Sequence, residues 1–358
     1  MADTRDPLFD DVSDDRPIDP HAGEAQAKKR GLFGRVFGRK QRWEPPAEPG
    51  APRRRSRWRV IKWALLVLLA VIVLYYPVGM AVMHRIGDDP AFTVKVEKGQ
   101  SHAVAVAAGL IRREVVDHRW TPNDPFVFPS WLLDNLPNFQ VGIRDGLSRF
   151  AIEMADKIGR TRGSSTVDRD LEDAAGRLKY SPFVWLWDPK VSIWPTAPTE
   201  DQYRGAMRAF ERYNRRLAEG KAVFDRRADN LQTIIDRINA DLGSDSSVIA
   251  ERIEKNSGTF FDTQSDNLFY RSKGRIYAYY ILLKALGEDF KPLIQERNAQ
   301  QVWDQMLHSL RQAAILQPLI VRNGKPDSML MPNHLAGLGF YLLRARTQLK
   351  EVSEVLQK

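Results

Sequence analysis

From Trp63 to Met83 the chain runs for 21 residues without one charged side chain: Trp63-Ala-Leu-Leu-Val-Leu68-Leu-Ala-Val-Ile-Val73-Leu-Tyr-Tyr-Pro77-Val-Gly-Met-Ala-Val-Met83. As a helix, such a stretch measures about 30 Å, the thickness of a bilayer's hydrocarbon core. A buried core helix of this length normally keeps a polar face, and this one has none. A cleaved signal peptide has a shorter apolar centre and a small-x-small exit, and neither is present. The stretch therefore predicts a transmembrane helix, with residues 58–85 as the span and its flanks. Pro77 and Gly79 weaken its last turns, so a kink or an early end is expected there. No small-xxx-small seam within the span supports dimerisation through it.

The charge distribution orients that helix. Residues 1–26 hold eight acidic side chains against Arg5 and Arg16, whereas residues 27–62 hold thirteen Lys and Arg against Glu44 and Glu48. Arg53, Arg54, Arg55, Arg57, Arg59 and Lys62 crowd the N-terminal flank, while His84 and Arg85 on the other side meet Asp88 and Asp89 at once. Positive charge stays on the cytoplasmic side, so the N-terminus is expected inside and the bulk of the chain outside. Trp58, Trp63, Tyr75 and Tyr76 suit the two interfaces. Beyond Arg85 the net charge is only +3, so the overall +9 is a topology signal and binding of nucleic acid is not expected.

Residues 1–57 read as a disordered cytoplasmic arm, acidic and then basic and Pro-rich. Within it, residues 28–40 interleave Leu32, Phe33, Val36 and Phe37 with cations, a spacing suited to contact with anionic lipid. A solvated basic linker that only sets topology is the competing reading.

Residues 90–358 read as an all-α domain, a bundle of about eight helices. Phe92-Thr-Val-Lys-Val-Glu97 alternates like a short strand. Ser101 caps a helix to about Asp117, and further helices are expected over 138–160, 168–179, from Thr199, and over 222–242, 246–256, 264–287, 298–317 and 332–356. Gly243-Ser-Asp-Ser marks a break. Two connectors rich in aromatic residues and proline, 120–129 and 180–195, interrupt the pattern.

Four strings are familiar as a set: Leu132-Leu-Asp-Asn-Leu-Pro-Asn-Phe-Gln140, Gly159-Arg-Thr-Arg-Gly-Ser-Ser165, Tyr213-Asn-Arg-Arg-Leu-Ala-Glu-Gly220 and Arg227-Ala-Asp-Asn-Leu231. In this order they resemble a family of uncharacterised proteobacterial membrane-anchored proteins, catalogued as a domain of unknown function. The resemblance implies a bacterial inner-membrane protein with a periplasmic domain and brings no activity, cofactor or catalytic residue.

No catalytic constellation is legible. The chain has no cysteine, which removes disulfides, thiolate metal sites and a cysteine nucleophile. The six histidines form no HExxH and no i,i+4 pair, no phosphate loop or GxSxG occurs, and so no catalytic residue, metal or cofactor is assigned. A distant His308/His334 pair reads as structural. Glu153 with Asp156, and Asp262 with Asp266, are the carboxylate pairs that share a helix face. Gly337 and Gly339 lie in an apolar helix, where glycine commonly permits close packing. The most unusual helix carries Asn267, Arg271 and Arg275: two guanidiniums one turn apart can fork a carboxylate or phosphate of a ligand or partner. Pairing with Asp or Glu of a neighbouring helix is the plainer reading.

The function expected is therefore non-enzymatic: a tethered module that binds or scaffolds an unidentified envelope protein. The rivals are a cell-wall or lipid-processing hydrolase with a site dispersed over helices, and a helical sleeve for a lipid or small amphiphile.

Overall fold

The computed structural model describes residues 57–159, 166–187, 193–258, 262–318, 320–325 and 331–358. The expected disordered arm and its lipid-contacting segment 28–40 lie outside them, as does most of the Gly159–Ser165 string. Among the described residues there are ten α-helices and no strand, and residues 58–358 form one unit. The helices are α1 (Arg57–Met83), α2 (His102–Arg112), α3 (Asn135–Glu153), α4 (Arg169–Leu178), α5 (Thr199–Ala218), α6 (Ala228–Asn256), α7 (Thr263–Asp289), α8 (Lys291–Glu296), α9 (Gln300–Ala314) and α10 (His334–Gln357). The domain is an all-α bundle, as its sequence periodicity predicts. The expected 246–256 helix is the second half of α6, and the short α8 had no counterpart in the pattern.

Several local expectations are corrected. Residues 92–97 are extended but pair with no strand; Phe92, Val94 and Val96 are half-buried while their neighbours face solvent, so the alternation records one packed side. Gly243-Ser-Asp-Ser does not break α6. The buried stripe Leu231, Ile234, Ile235, Ile238, Leu242 and Ile249 passes straight through it, and packing against α10 outweighs the poor helix propensity of Gly and Ser. The partner stripe on α10, Leu335, Leu338, Leu342, Ala345, Leu349, Val352 and Leu356, alternates steps of three and four as in a coiled-coil seam. Helix α1 does not end at Pro77; it continues to Met83.

Helix α7 sits at the centre, with 17 of its residues buried. Its closest neighbour is α3, and the approach is backbone to backbone. A Cβ on Gly142 would collide with the Arg271 carbonyl, one on Gly274 with the Phe139 carbonyl, and one on Gly146 would crowd the Ala278 methyl at 3.0 Å. Gly142-x-x-x-Gly146 on α3 thus faces Gly274-x-x-x-Ala278 on α7. By contrast Gly337 has open space around it and Gly339 makes only ordinary contact at 3.6 Å with Ile249, so close packing does not explain that pair.

The ends of the helices are fixed as their sequences indicate. The Ser101 hydroxyl accepts from the Val104 amide at the start of α2, the Asp262 carboxylate from Ser265 at the start of α7, and the Asn333 amide oxygen from Ala336 at the start of α10. Buried Asp289, at the other end of α7, reinforces the first of these. It accepts from the Ser101 hydroxyl (2.6 Å) and from the amides of His102 (2.8 Å) and Ala103 (2.9 Å).

Glycine-to-alanine exchange discriminates the packed from the open positions. Gly274→Ala or Gly142→Ala is expected to lower unfolding free energy by about 1–3 kcal/mol or more through overpacking. Gly337→Ala is expected to raise it by up to about 1 kcal/mol through helix propensity. Urea unfolding of the purified protein, followed by far-UV circular dichroism, reads both.

Candidate functional site

The segment that leaves α1 is drawn into the domain rather than left as a free tether. One face of α7, Lys273, Tyr277, Tyr280 and Lys284, meets it in sequence. The Lys273 ammonium, 0% exposed, lies 2.5 Å from Asp88, whose carboxylate also accepts from Gln317 at 2.8 and 2.6 Å. The Tyr277 hydroxyl donates to the Asp89 carbonyl (2.8 Å), Lys284 reaches the Pro90 carbonyl (3.4 Å), and Tyr280 lies at the limit of reach of the same oxygen (3.5 Å). Burial holds the Lys273 amine below its usual range, opposed by its bond to Asp88.

A second buried charge pair adjoins it. After Arg112 the α2 helix widens into a π-turn over Arg113–Asp117, which places Arg113 and Glu114 together in the core. Arg113 donates to Glu114 (2.7 Å) and to the Tyr277 hydroxyl (2.7 Å), and its guanidinium stacks 4.9 Å from the Phe92 ring. Gln140 of α3 completes the cluster by donating to Glu114 (3.2 Å) and to the Arg119 carbonyl (2.9 Å) while accepting from the Thr121 amide (3.0 Å). Arg119 takes a left-handed backbone, φ 69°, which turns the chain into the first aromatic connector.

The two connectors are stitched together at their bases. The Trp120 indole is buried edge-on against Tyr203 and donates to the Pro182 carbonyl (3.0 Å), and Asn123 donates to the Val184 carbonyl (2.9 Å). The second connector folds back on itself, with Thr196 and Thr199 amides bonded to the Leu186 and Val184 carbonyls. At its far edge the first connector lies along α1. The Tyr75 hydroxyl donates to the Val127 carbonyl (3.0 Å), Tyr76 to the Phe126 carbonyl (2.6 Å), and Pro129 abuts Gly79. Otherwise α1 has no buried residue.

The arginines singled out by sequence lie on another face of α7. Arg271 and Arg275 both reach Asp145 of α3, each at 2.9 Å, and Arg275 also binds Asp245 of α6 at 2.8 Å. The plainer reading of the pair is thus the contact present. Asn267, one turn earlier, accepts from Asn138 at 3.0 Å. Arg144 and Arg149 bring their own charges to the same region, Arg149 pairing with Asp241, and a hollow of about 200 Å³ opens between them. Burial pushes the Asp245 carboxyl up to about 6, against the pull of Arg275 and Arg271. Arg275 is largely enclosed, but Arg271 keeps 49% of its side chain in solvent.

Of the carboxylate pairs, Asp262 is engaged by Arg252 and caps α7, while Glu153 is buried near Arg149 and Arg237. Asp266 instead neighbours Asp134, and burial together with that like charge pushes it up to about 7. His334 accepts from the Arg322 amide (2.9 Å), a structural role. Among the described residues no group of three or more His, Asp or Glu is gathered closely enough to hold a metal ion. Two further hollows, about 500 and 540 Å³, are open grooves edged by charged side chains such as Arg112, Glu211, Arg169 and Lys221. Sequence reasoning missed Lys273 and Asp88. The available signal was a lysine inside a helix otherwise almost free of an exposed face.

Fold and geometry together define an all-α protein in which one apolar helix, long enough to cross a membrane, is locked onto a helical domain. The chain belongs to a family of uncharacterised proteins conserved in bacteria, the domain of unknown function DUF2333, matched over residues 101–262 and 259–358. None of the curated proteins and none of the solved structures compared with it matches.

Two outcomes test the electrostatics. Lys273→Met leaves Asp88 charged, buried and short of its strongest partner, and is expected to cost about 3–5 kcal/mol in urea unfolding, with Lys273→Met/Asp88→Leu recovering much of it. For Asp245, the folded value of about 6 lies above the ordinary 3.8, so the folded chain retains a proton that the unfolded chain releases. Its contribution to stability is therefore present below pH 4 and lost as the pH rises through about 6, on the order of 2–3 kcal/mol. Asp245→Asn is expected to flatten that part of the stability–pH curve between pH 4.5 and 7.5; a slope unchanged from the parent contradicts the assignment.

Proposed function

We propose that this chain is a single-pass protein of the bacterial inner membrane, with its N-terminus in the cytoplasm and its helical domain in the periplasm. The domain works there as a binding or scaffolding module for another envelope protein. The observation that carries this reading is the buried clamp on the exit segment, in which Lys273, Tyr277 and Lys284 of α7 hold Asp88, Asp89 and Pro90. An enzyme on a leash needs only a flexible linker. Here Asp88, five residues beyond the apolar helix, is buried in the core and Asp89 and Pro90 are bonded to α7, so the domain is presented to its surroundings at a fixed height and attitude, as a scaffold requires. The basic flank before α1 and the acidic residues after it support the orientation.

On this reading Arg271 is the member of the α7 cluster that a partner meets. Its guanidinium is anchored by Asp145 and half exposed, and Arg275 and Asn267 hold the surface around it. Pre-organised arginines of this kind recur among the residues that dominate interfaces.

The hydrolase reading draws on one feature, the raised carboxyl of Asp266 beside Asp134, which resembles a general acid with its partner. Peptidoglycan zymography of the protein and of Asp266→Asn distinguishes it: a clearing band lost in the variant establishes the hydrolase and removes the scaffold.

Because the chain lacks cysteine, single substitutions report topology cleanly. In spheroplasts, a membrane-impermeant maleimide is expected to label Leu343→Cys and to spare Ser13→Cys until the cells are lysed. A photo-crosslinking amino acid at position 271 is expected to give a discrete adduct in intact cells that disappears in the Asp145→Ala background. Labelling of the opposite pattern overturns the orientation, and the absence of any specific adduct speaks against the scaffold.

A further inference from the structure

The domain exposes its large apolar side chains unevenly. On the first connector and the turn that follows it, Phe126 (66% exposed), Val127, Trp131 and Leu132 are bare, and on the second, to which Trp120 and Asn123 bind the first, so are Phe183, Leu186, Trp187 (52%), Ile193 and Trp194. Both loops are bonded at their bases through Trp120, Asn123 and Thr199, while Phe126, Trp131, Phe183, Leu186 and Trp187 face outward. Exposed aromatic groups gathered in this way mark a surface that meets something else.

What they meet is indicated by their position along α1. The first connector does not lie beyond the end of the helix but alongside it, bonded to Tyr75 and Tyr76 and packed on Gly79. Tyr75 precedes Met83 by eight residues, so this loop reaches back about 12 Å from the helix end. Counting back about 27 Å from Tyr76, close to the thickness of a hydrocarbon core, reaches Trp58, which sets the core more than a turn nearer the N-terminus than the charge-free stretch Trp63–Met83. Tyr75 and Tyr76 then mark the far interface, Val78 to Met83 stand beyond it beside the domain, and Arg59 and Lys62 reach back to the near interface through their long side chains. The half-covered face of α1, Tyr76, Gly79, Met80 and Met83, is the part that stands in the headgroup layer against the domain.

We infer that the two aromatic connectors form a foot that dips into the outer leaflet of the same bilayer, with Phe126, Val127, Trp131, Leu132, Phe183, Leu186 and Trp187 as its lipid contacts. The occupant is a lipid surface, because the first connector is continuous with a helix whose remaining surface is itself exposed and apolar, and the second connector is bonded to the first at Pro182 and Val184. Irregular backbone cannot enter the hydrocarbon without partners, and the Tyr75 and Tyr76 hydroxyls supply two of them, to the Val127 and Phe126 carbonyls. Aromatic rings favour the boundary between hydrocarbon and headgroup, which is the depth that Tyr75 and Tyr76 give the first connector. The foot gives the domain a second point of membrane contact, so that the helix and the loops together fix its tilt. This inference rests on the membrane reading above.

The test uses the full chain, one copy per nanodisc of phosphatidylethanolamine and phosphatidylglycerol, with a nitroxide on a single introduced cysteine. Phe126→Cys and Trp187→Cys probe the foot, Val71→Cys the span, and Leu343→Cys, exposed on α10, the remote surface. Power saturation compares access of oxygen, which concentrates in lipid, with that of a water-soluble nickel chelate. Labels at 126 and 187 are expected to show an oxygen-to-nickel ratio several-fold above that at 343 and below that at 71. If 126 and 187 match 343 while 71 reads as lipid, the membrane span stands and the foot is overturned; a protein-docking face gives this outcome, since no other protein is present. If only one of the two reads as lipid, the two-loop foot is overturned. If 71 itself is open to nickel, the membrane reading fails and the inference with it. All four side chains are exposed in the parent, and matching thermal melts by circular dichroism confirm that the variants fold alike.

Discussion

The burial of α7 on nearly every side is the constraint from which the rest of the domain follows. A helix in that position must pair its charges and phenols, because an unpaired charge or donor in the core costs several kcal/mol. The Ser272 hydroxyl is left without a partner, but four larger polar residues on α7 each recruit a different part of the chain. Lys273 requires Asp88, Tyr277 the Asp89 carbonyl and Arg113, Tyr279 the Asp241 carboxylate (2.6 Å), and Arg275 Asp145 and Asp245. Between these demands lie Gly274 and Ala278, which let α3 come to backbone contact. The result is a central element whose successive faces specify the exit segment, α3 and α6 in turn.

The consequence for the apolar helix is mechanical. A segment such as residues 84–97, without regular structure of its own, would normally behave as a hinge. Its two ends are held instead: Asp88 by an ion pair inside the core, and Val94 by insertion over Gly109 of α2, where any side chain would collide with it. Phe92 adds a stacked guanidinium. Because these contacts are distributed over α2, α7 and Gln317, loosening the exit segment means disturbing the core itself. The attachment of α1 to the domain and the stability of the fold are thus coupled through the same few side chains.

How much of this was legible in the sequence depended on how local the governing physics is. The apolar span, the cap at Ser101, the amphipathic helix α5 and the helix near 332–356 are short-range patterns legible in the sequence, whereas the Asp262 cap reads there only as half of a carboxylate pair. The Arg271/Arg275 pair was recognised, but the identity of its partner, Asp145 more than 120 positions away, is a property of the packed chain. Lys273 illustrates the harder case. One lysine on an apolar helix reads as solvated until the neighbouring helices close over it, and its partner Asp88 was assigned to the charge balance at the membrane. Gly142-x-x-x-Gly146 carries a readable signal, since small residues four apart permit close helix approach in any medium, and its partner Gly274-x-x-x-Ala278 lies more than 120 positions away. At Gly243 the local signal was present and was overruled, because the stripe on α10 supplies more than the weak residues remove.

The buried and exposed halves of the connectors can be explained by one argument. Trp120 is enclosed and its indole nitrogen is satisfied by the Pro182 carbonyl, whereas Phe126, Trp131 and Trp187 are left outside. In a domain surrounded only by water that arrangement exposes apolar area and returns nothing. Beside an apolar helix of membrane-spanning length it has a physical rationale under the proposed membrane reading: the hydrophobic effect that would draw α1 into lipid acts on these loop residues as well. The same reasoning separates these residues from Phe340 and Leu343, which are exposed on α10 without any bond to α1, and to which no contact is assigned. What sets the connectors apart is therefore not hydrophobicity alone but hydrophobicity delivered, on a stiff support, to the level of Tyr75 and Tyr76.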